Sequence, residues 1–304
     1  MNTIYPLQRG DKIHIVSPAG KINPDILENA VRQIENRGFM ASISKNADGS
    51  YHQFSSGDAQ RANDMQSALD NQEIKAILCS RGGYGTGRII GQLDFSGFVK
   101  HPKWIIGFSD ITILHAHLNN NLCIPGIHGP MAKNFPLFPS SDISIELLFD
   151  ILAGKSPGVK FQHDSLNRTG IAEGILTGGN LSLLYSLRGT PYDLKPEGKI
   201  LFIEDLGEHL YHLDRMMLNL KLGGVLEKIN GMIVGSFSAM KDNNPPFGKT
   251  AYEIIASYIT EYDYPVAFRF PAGHTKRNTP LIFGKKVNLT VRREASNLEY
   301  VQKA

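Results

Sequence analysis

Through its first half the chain alternates short apolar runs with amphipathic stretches, a pattern that few folds can use. Lys12–Pro18 reads as a strand running into a turn at Gly20. The helix that follows has Asn23 as its cap, Pro24 at its first position, Ile26, Ala30 and Ile34 on one face, and Gly38 as its stop. Met40–Ser44 reads as a second strand and Asp58–Leu69 as a helix with Ala62, Met65 and Leu69 inward. Lys75–Ser80 and Trp104–Phe108 are the third and fourth strands, before a helix over Ile111–Asn119 and an extended Pro125–His128. Such alternation predicts an α/β domain: a parallel sheet of the flavodoxin or Rossmann kind with flanking helices. Ligands of these sheets sit beyond the carboxyl ends of the strands, where Ser80-Arg81-Gly82-Gly83 and Ser109 both fall.

At 304 residues the chain is long enough for two domains, and its 41% apolar content supports a core in each. The first α/β domain is expected over residues 1–135. Residues 136–168, with Pro136, Pro139, Gly154, Pro157 and Gly158 around a short helix Ser144–Leu152, read as a connector. A β-richer α/β domain is expected over 169–304. Its strands are placed at Ile171–Thr177, Lys199–Glu204, Gly231–Phe237 and Tyr264–Phe270, with a last pair near Pro280–Val291. Helices Leu181–Leu187, Leu210–Leu220 and Lys249–Thr260 lie between them, and the active site is expected in the cleft between the two domains.

The net charge of +3 is spread without basic blocks, which argues against nucleic acid or a membrane surface as partner. Two cysteines, Cys79 and Cys123, lie in apolar surroundings and suit a reducing compartment rather than a disulfide framework. Met1–Asp11 has no signal-like apolar core, and no apolar run approaches the ~18 residues of a spanning helix. A soluble cytoplasmic protein is expected.

The chemistry concentrates at Gly107-Phe108-Ser109-Asp110, where an apolar strand stops at a serine and turns helical. A tight turn of this kind pushes a serine hydroxyl out of the sheet, and the next helix aims free N–H groups at the same spot. The fuller Gly-x-Ser-x-Gly signature is not met, because Ile111 stands at its last position. A serine nucleophile also needs a base, a group to orient that base, and oxyanion donors. His274 follows Pro271-Ala272-Gly273 after a strand, and Glu204-Asp205 ends another apolar strand. The order Ser109, Glu204, His274 is that of the α/β-hydrolases. The donors would be the Asp110 backbone N–H and that of Gly82 or Gly83. Each element also has a plain reading: Ser109 as a helix cap, Glu204 as half of an ion pair, and His274 as one of ten histidines. Cys79, mid-strand, reads as an inert buried thiol. His209 and His212 form no familiar metal pattern, so neither metal nor cofactor is expected.

The ordered set Ser80-Arg81-Gly82-Gly83-Tyr84-Gly85, Gly107-Phe108-Ser109-Asp110, Gly178-Gly179-Asn180-Leu181, Glu204-Asp205 and Gly273-His274 resembles the LD-carboxypeptidase family of serine peptidases. Val16-Ser17-Pro18-Ala19, Arg61-Ala62, His128-Gly129-Pro130 and Tyr211-His212-Leu213-Asp214-Arg215 extend the likeness from about residue 10 to about 290. One departure is visible: the family's Leu-Pro-x-Gly run is here Pro280-Leu281-Ile282-Phe283-Gly284. The resemblance implies a two-domain homodimer that removes terminal D-alanine from murein tetrapeptides during cytoplasmic recycling of cell-wall fragments. It implies Ser109 as nucleophile, His274 as base and then acid, Glu204 as the orienting carboxylate, and Asp110 with Gly82 or Gly83 as the oxyanion hole. Arg81 and Tyr84 are the expected substrate-binding residues, with Arg88, Arg215 and Arg277 as other candidates for the terminal carboxylate. Microcin C immunity proteins, which hydrolyse aminoacyl-nucleotide analogues, share the triad and stand as the alternative. A non-catalytic α/β ligand binder is the other.

Overall fold

A computed structural model of the chain describes residues 4–301. The chain divides into two compact units: one runs to Lys155 and takes back Thr279–Ile282, and the other comprises Ser156–Asn278 and the chain from Phe283 onward. The stretch 136–168, expected as a connector, holds helix Ile143–Leu152 before that division and strand Val159–Gln162 after it.

The first sheet contains β1 (Lys12–Val16), β2 (Met40–Ile43), β3 (Ile74–Cys79), β4 (Trp104–Ile106) and β5 (Gly126–His128). Its spatial order is β2-β1-β3-β4-β5, with these five strands parallel. This is the flavodoxin order, whose direction reverses between β1 and β3. Nearly every residue of β3, β4 and β5 is buried, because helices cover both faces of a parallel sheet. The helix Pro24–Asn36 starts as its sequence predicts, with the Asn23 side chain accepting the Asp25 N–H at 3.0 Å. Its buried face is centred on Leu27, Ala30 and Ile34; Ile26, expected inward, is only half-buried.

The second sheet is built from β6 (Val159–Gln162), β7 (Gly170–Asn180), β8 (Ile200–Leu206), β9 (Gly231–Ser238), β10 (Val266–Ala267), β12 (Lys286–Val291) and β13 (Ala295–Tyr300), in the order β10-β9-β8-β7-β12-β13-β6. Strands β7 to β10 are parallel, and from β7 outward through β12, β13 and β6 the pairing is antiparallel. Helices Leu181–Ser186, Leu210–Leu222 and Ala251–Tyr258 pack on the parallel half through Leu184, Leu213, Met217 and Ile254.

Three expectations need correction. The strand predicted over Tyr264–Phe270 is only Val266–Ala267, because Arg269 adopts a left-handed φ of +55° and Phe268 gives its N–H to the Asn167 side chain. The pair near Pro280–Val291 splits: β11 (Leu281–Phe283) joins the first sheet beside β5, whereas β12 joins the second. Strands β6 and β13 had no sequence signal beyond four and six residues of weak alternation. No helix among the described residues is long and apolar enough to cross a membrane.

Candidate active site

Ser109 sits just past β4 with φ +63°, the left-handed region that a residue with a Cβ rarely occupies. Two glycines make that turn possible. A Cβ on Gly107 would lie 2.8 Å from the Ile111 side chain, so the chain can fold back over itself only without one. A Cβ on Gly82 would lie 2.9 Å from Ser109 Cβ, 3.0 Å from its Oγ and 3.3 Å from the Asp110 nitrogen. Of the two candidate glycines, Gly82 therefore packs against the serine. Gly83, at φ +114°, supplies the turn beyond it and faces Gly20 and Arg81.

The loops around this serine are tied to one another by buried polar groups. The Asp110 carboxylate accepts the Thr86 N–H at 2.8 Å, holding the glycine loop to the elbow, and its burial raises its pKa. Ser17 Oγ lies 2.8 Å from the Ala47 carbonyl and 2.6 Å from Ser80 Oγ, joining the ends of β1 and β3. Arg61 is fully buried under the same loops. Its guanidinium bonds the carbonyls of Pro18, Gly85 (2.9 Å) and Ser56 (3.1 Å), pairs with Asp58, and stacks 4.8 Å from the Phe54 ring. His115 Nε2 lies 2.8 Å from the Gly107 carbonyl, and burial lowers its pKa to about 4, so the ring is neutral and donates that proton.

In the second unit, adjacent residues at the end of β8 go opposite ways, as strand geometry requires. Glu204, fully buried, places Oε2 2.7 Å from His274 Nδ1 and 3.2 Å from the His274 backbone nitrogen. Gly273 shapes this approach: at φ +105° its Cβ would fall 2.8 Å from Glu204 Oε2 and 2.7 Å from Ser236 Oγ. Asp205 points away and accepts from Asn180 Nδ2 (2.8 Å), Ser182 N (2.9 Å) and Leu206 N (2.8 Å), the first two at the start of helix Leu181–Ser186 after the neighbouring strand β7. Burial pushes its pKa up to about 6.

The other candidates separate clearly. Arg81 bonds the Lys21 carbonyl at 2.9 Å, and Tyr84 is exposed beside Phe54. Arg88 is held by Asp58 at 2.7 Å, and Arg215 lies over Tyr211 at 5.5 Å. Cys79 is buried, which raises its thiol pKa far above the usual range. The roles of Arg61 and His115 as supports had no signal of their own, since both stand on ordinary helical stretches.

The residues carrying the elbow serine and the buried glutamate–histidine pair lie within two stretches that match family models, the LD-carboxypeptidase N-terminal domain over residues 13–129 and its C-terminal domain over 173–289. The chain belongs to the LD-carboxypeptidase family. A Bacillus subtilis relative named "Probable murein peptide carboxypeptidase" is 32% identical over 96% of this chain and 93% of its own. The murein tetrapeptide carboxypeptidase of Pseudomonas aeruginosa is 31% identical over 90% of this chain and 91% of its own. The microcin C7 self-immunity protein of Escherichia coli is 27% identical over 93% of this chain and 91% of its own. The crystal structure of muramoyltetrapeptide carboxypeptidase from Oxalobacter formigenes superposes with a TM-score of 0.87, at 27% identity, over 96% of this chain and 99% of that one. As an LD-carboxypeptidase family member, the chain has the two-unit α/β architecture of these proteins.

Proposed function

We propose that this protein is a serine carboxypeptidase that cuts the L,D bond of murein tetrapeptides and releases the terminal D-alanine. The observation that carries the reading is the left-handed backbone of Ser109 with Gly82 pressed against it. The substrate class follows the murein peptide carboxypeptidases among its relatives.

In this mechanism Ser109 is the nucleophile, His274 the general base and then acid, and Glu204 the orienting carboxylate. With Nδ1–H given to Glu204, the His274 lone pair is on Nε2, the nitrogen that takes the serine proton. Ser109 Oγ attacks the carbonyl of the L-centre residue. The Asp110 N–H and the backbone at Gly82-Gly83 stabilise the developing oxyanion. His274 returns the proton to the departing amine, and water releases the acyl-enzyme by the same steps. The chemistry requires no cofactor. The same reading makes the protein a cytoplasmic homodimer.

The second reading, hydrolysis of aminoacyl-nucleotide analogues, is favoured by the likeness to the microcin C7 self-immunity protein. Trp104, the only tryptophan, is buried in β4 and offers no free face to a base, which supports the peptide substrate.

The test is release of D-alanine from L-Ala-γ-D-Glu-diaminopimelate-D-Ala by wild type and Ser109→Ala. Release that disappears in the folded variant supports both the reaction and the nucleophile. Hydrolysis of aminoacyl-nucleotide analogues alone would select the second reading. A fluorophosphonate that fails to label Ser109 in an inert wild type would point to a non-catalytic binder.

A further inference from the structure

The strand order of the first sheet brings two cations to the sides of Ser109. In the sequence β5-β4-β3, Ser109 follows β4, Arg81 follows β3 and Lys133 follows β5. All three therefore leave the same carboxyl edge on neighbouring strands. Lys133 stands on the short turn Ala132–Asn134, whose start is pinned by its own N–H donating to the Ser80 carbonyl at 2.9 Å. Its ammonium lies 5.8 Å from the centroid of Phe108, the residue directly before the serine.

Neither cation has a carboxylate partner among the described residues. Arg81 is held only by the carbonyls of Lys21 and Gly82. Lys133 has neither a hydrogen bond nor an ion pair from its ammonium among those residues. Asp110, the acid next to the serine in the chain, is buried and faces Thr86. Arg81 is near enough to act electrostatically on Lys133, and two positive charges so placed without a carboxylate partner favour an anion between them. The side chain of Lys133 remains exposed, while crowding by protein and then the Arg81 charge lower its pKa.

We propose that Lys133, together with Arg81, is the anion site that takes the carboxylate of the departing C-terminal residue. The proposal rests on the peptidase reading and extends it by naming the groups that make the enzyme an exopeptidase. An enzyme that reads a free carboxylate discriminates against the C-terminal amide, and that discrimination resides in these two side chains.

The experiment compares the tetrapeptide with its C-terminal amide in wild type, Lys133→Met and Lys133→Arg, with thermal unfolding as the folding control. Lys133→Met is expected to raise KM for the acid by roughly 10- to 100-fold with kcat within about threefold. It leaves KM for the amide nearly unchanged, and Lys133→Arg restores most of the preference. An acid-to-amide ratio in Lys133→Met equal to that of wild type overturns the proposal. Calorimetric binding of both peptides to Ser109→Ala, with and without Lys133→Met, separates this failure from failure of the peptidase reading. A catalytically inert wild type whose Ser109→Ala form still binds the acid more tightly than the amide, through Lys133, refutes only the peptidase chemistry. Loss of any acid preference in binding refutes the anion site.

Discussion

Glu204 Oε2 holds His274 twice, at 2.7 Å from the ring Nδ1 and 3.2 Å from the backbone nitrogen, so one carboxylate oxygen sets both the tautomer and the position of the imidazole. Asp205, its neighbour in the chain, has no part in this and instead receives two N–H donors from the start of helix Leu181–Ser186 and a third from Leu206.

The two acids therefore fail differently when neutralised. Glu204→Gln is expected to lower kcat by about 10³- to 10⁴-fold with little loss of stability, as when a triad carboxylate is replaced by its amide. Asp205→Asn turns one accepting oxygen into a donor among donors, at a cost of about 1–3 kcal/mol of stability, with kcat within about threefold. Steady-state kinetics and thermal unfolding of both variants check the assignment. The opposite pattern would place the triad acid at 205.

Gly82→Ala tests the geometry around Ser109 without replacing a residue of the proposed triad. The new Cβ would sit 3.0 Å from Ser109 Oγ, in the space where the reacting carbonyl must lie. A fall in kcat of about 100-fold or more is expected, the magnitude of losing an oxyanion donor, with folding retained. A fully active Gly82→Ala would remove this glycine from the site.

Arg61 is the largest polar side chain with no exposure, and it holds the loops after β1 and β3 together. Arg61→Met leaves the carbonyls of Pro18, Gly85 and Ser56 without their donor and Asp58 without one of its cations. A loss of about 3 kcal/mol or more is expected, measured by urea unfolding. Arg61→Lys should recover little, because one ammonium cannot reach the partners of a planar fork.

His115 makes stability depend on pH. Its folded pKa of about 4 lies below the unfolded value near 6.5, so the unfolded chain binds the proton more tightly in that window. Its contribution is complete above about pH 6.5 and is lost as pH falls toward 4, by about 3 kcal/mol. Asp205, with its pKa raised to about 6, acts oppositely, since its contribution declines as pH rises from the ordinary carboxylate range to 6. The difference between wild type and His115→Gln isolates the histidine, because glutamine retains a donor for the Gly107 carbonyl. The urea midpoint of wild type should fall relative to that of the variant between pH 6.5 and 4. A constant gap across this window would mean that His115 is not buried as a neutral ring.

The parallel sheet of the first unit was legible because strand and helix periods are local, and the caps and stops are too: Asn23 and Gly38 bound their helix through atoms a few residues away. Gly107-Phe108-Ser109 was legible for the same reason, since an elbow is a property of consecutive residues. Arg269 and Asn167 ended the strand expected over Tyr264–Phe270 through a backbone turn and a contact spanning 101 residues, which no period encodes. Strands β6 and β13 were missed because their short alternation acquires meaning only when β13 pairs with β12 and β6 with β13.

Sequence by itself determined that a serine elbow, a strand-end acid pair and a Gly-His loop occur in this chain, in hydrolase order. Tertiary structure decided which acid meets His274, which glycine packs against Ser109, and that Lys133 leaves the same sheet edge as Arg81 and Ser109. Those choices depend on which way each side chain leaves its strand and on which strands become neighbours, and both are set by packing between segments far apart in the chain.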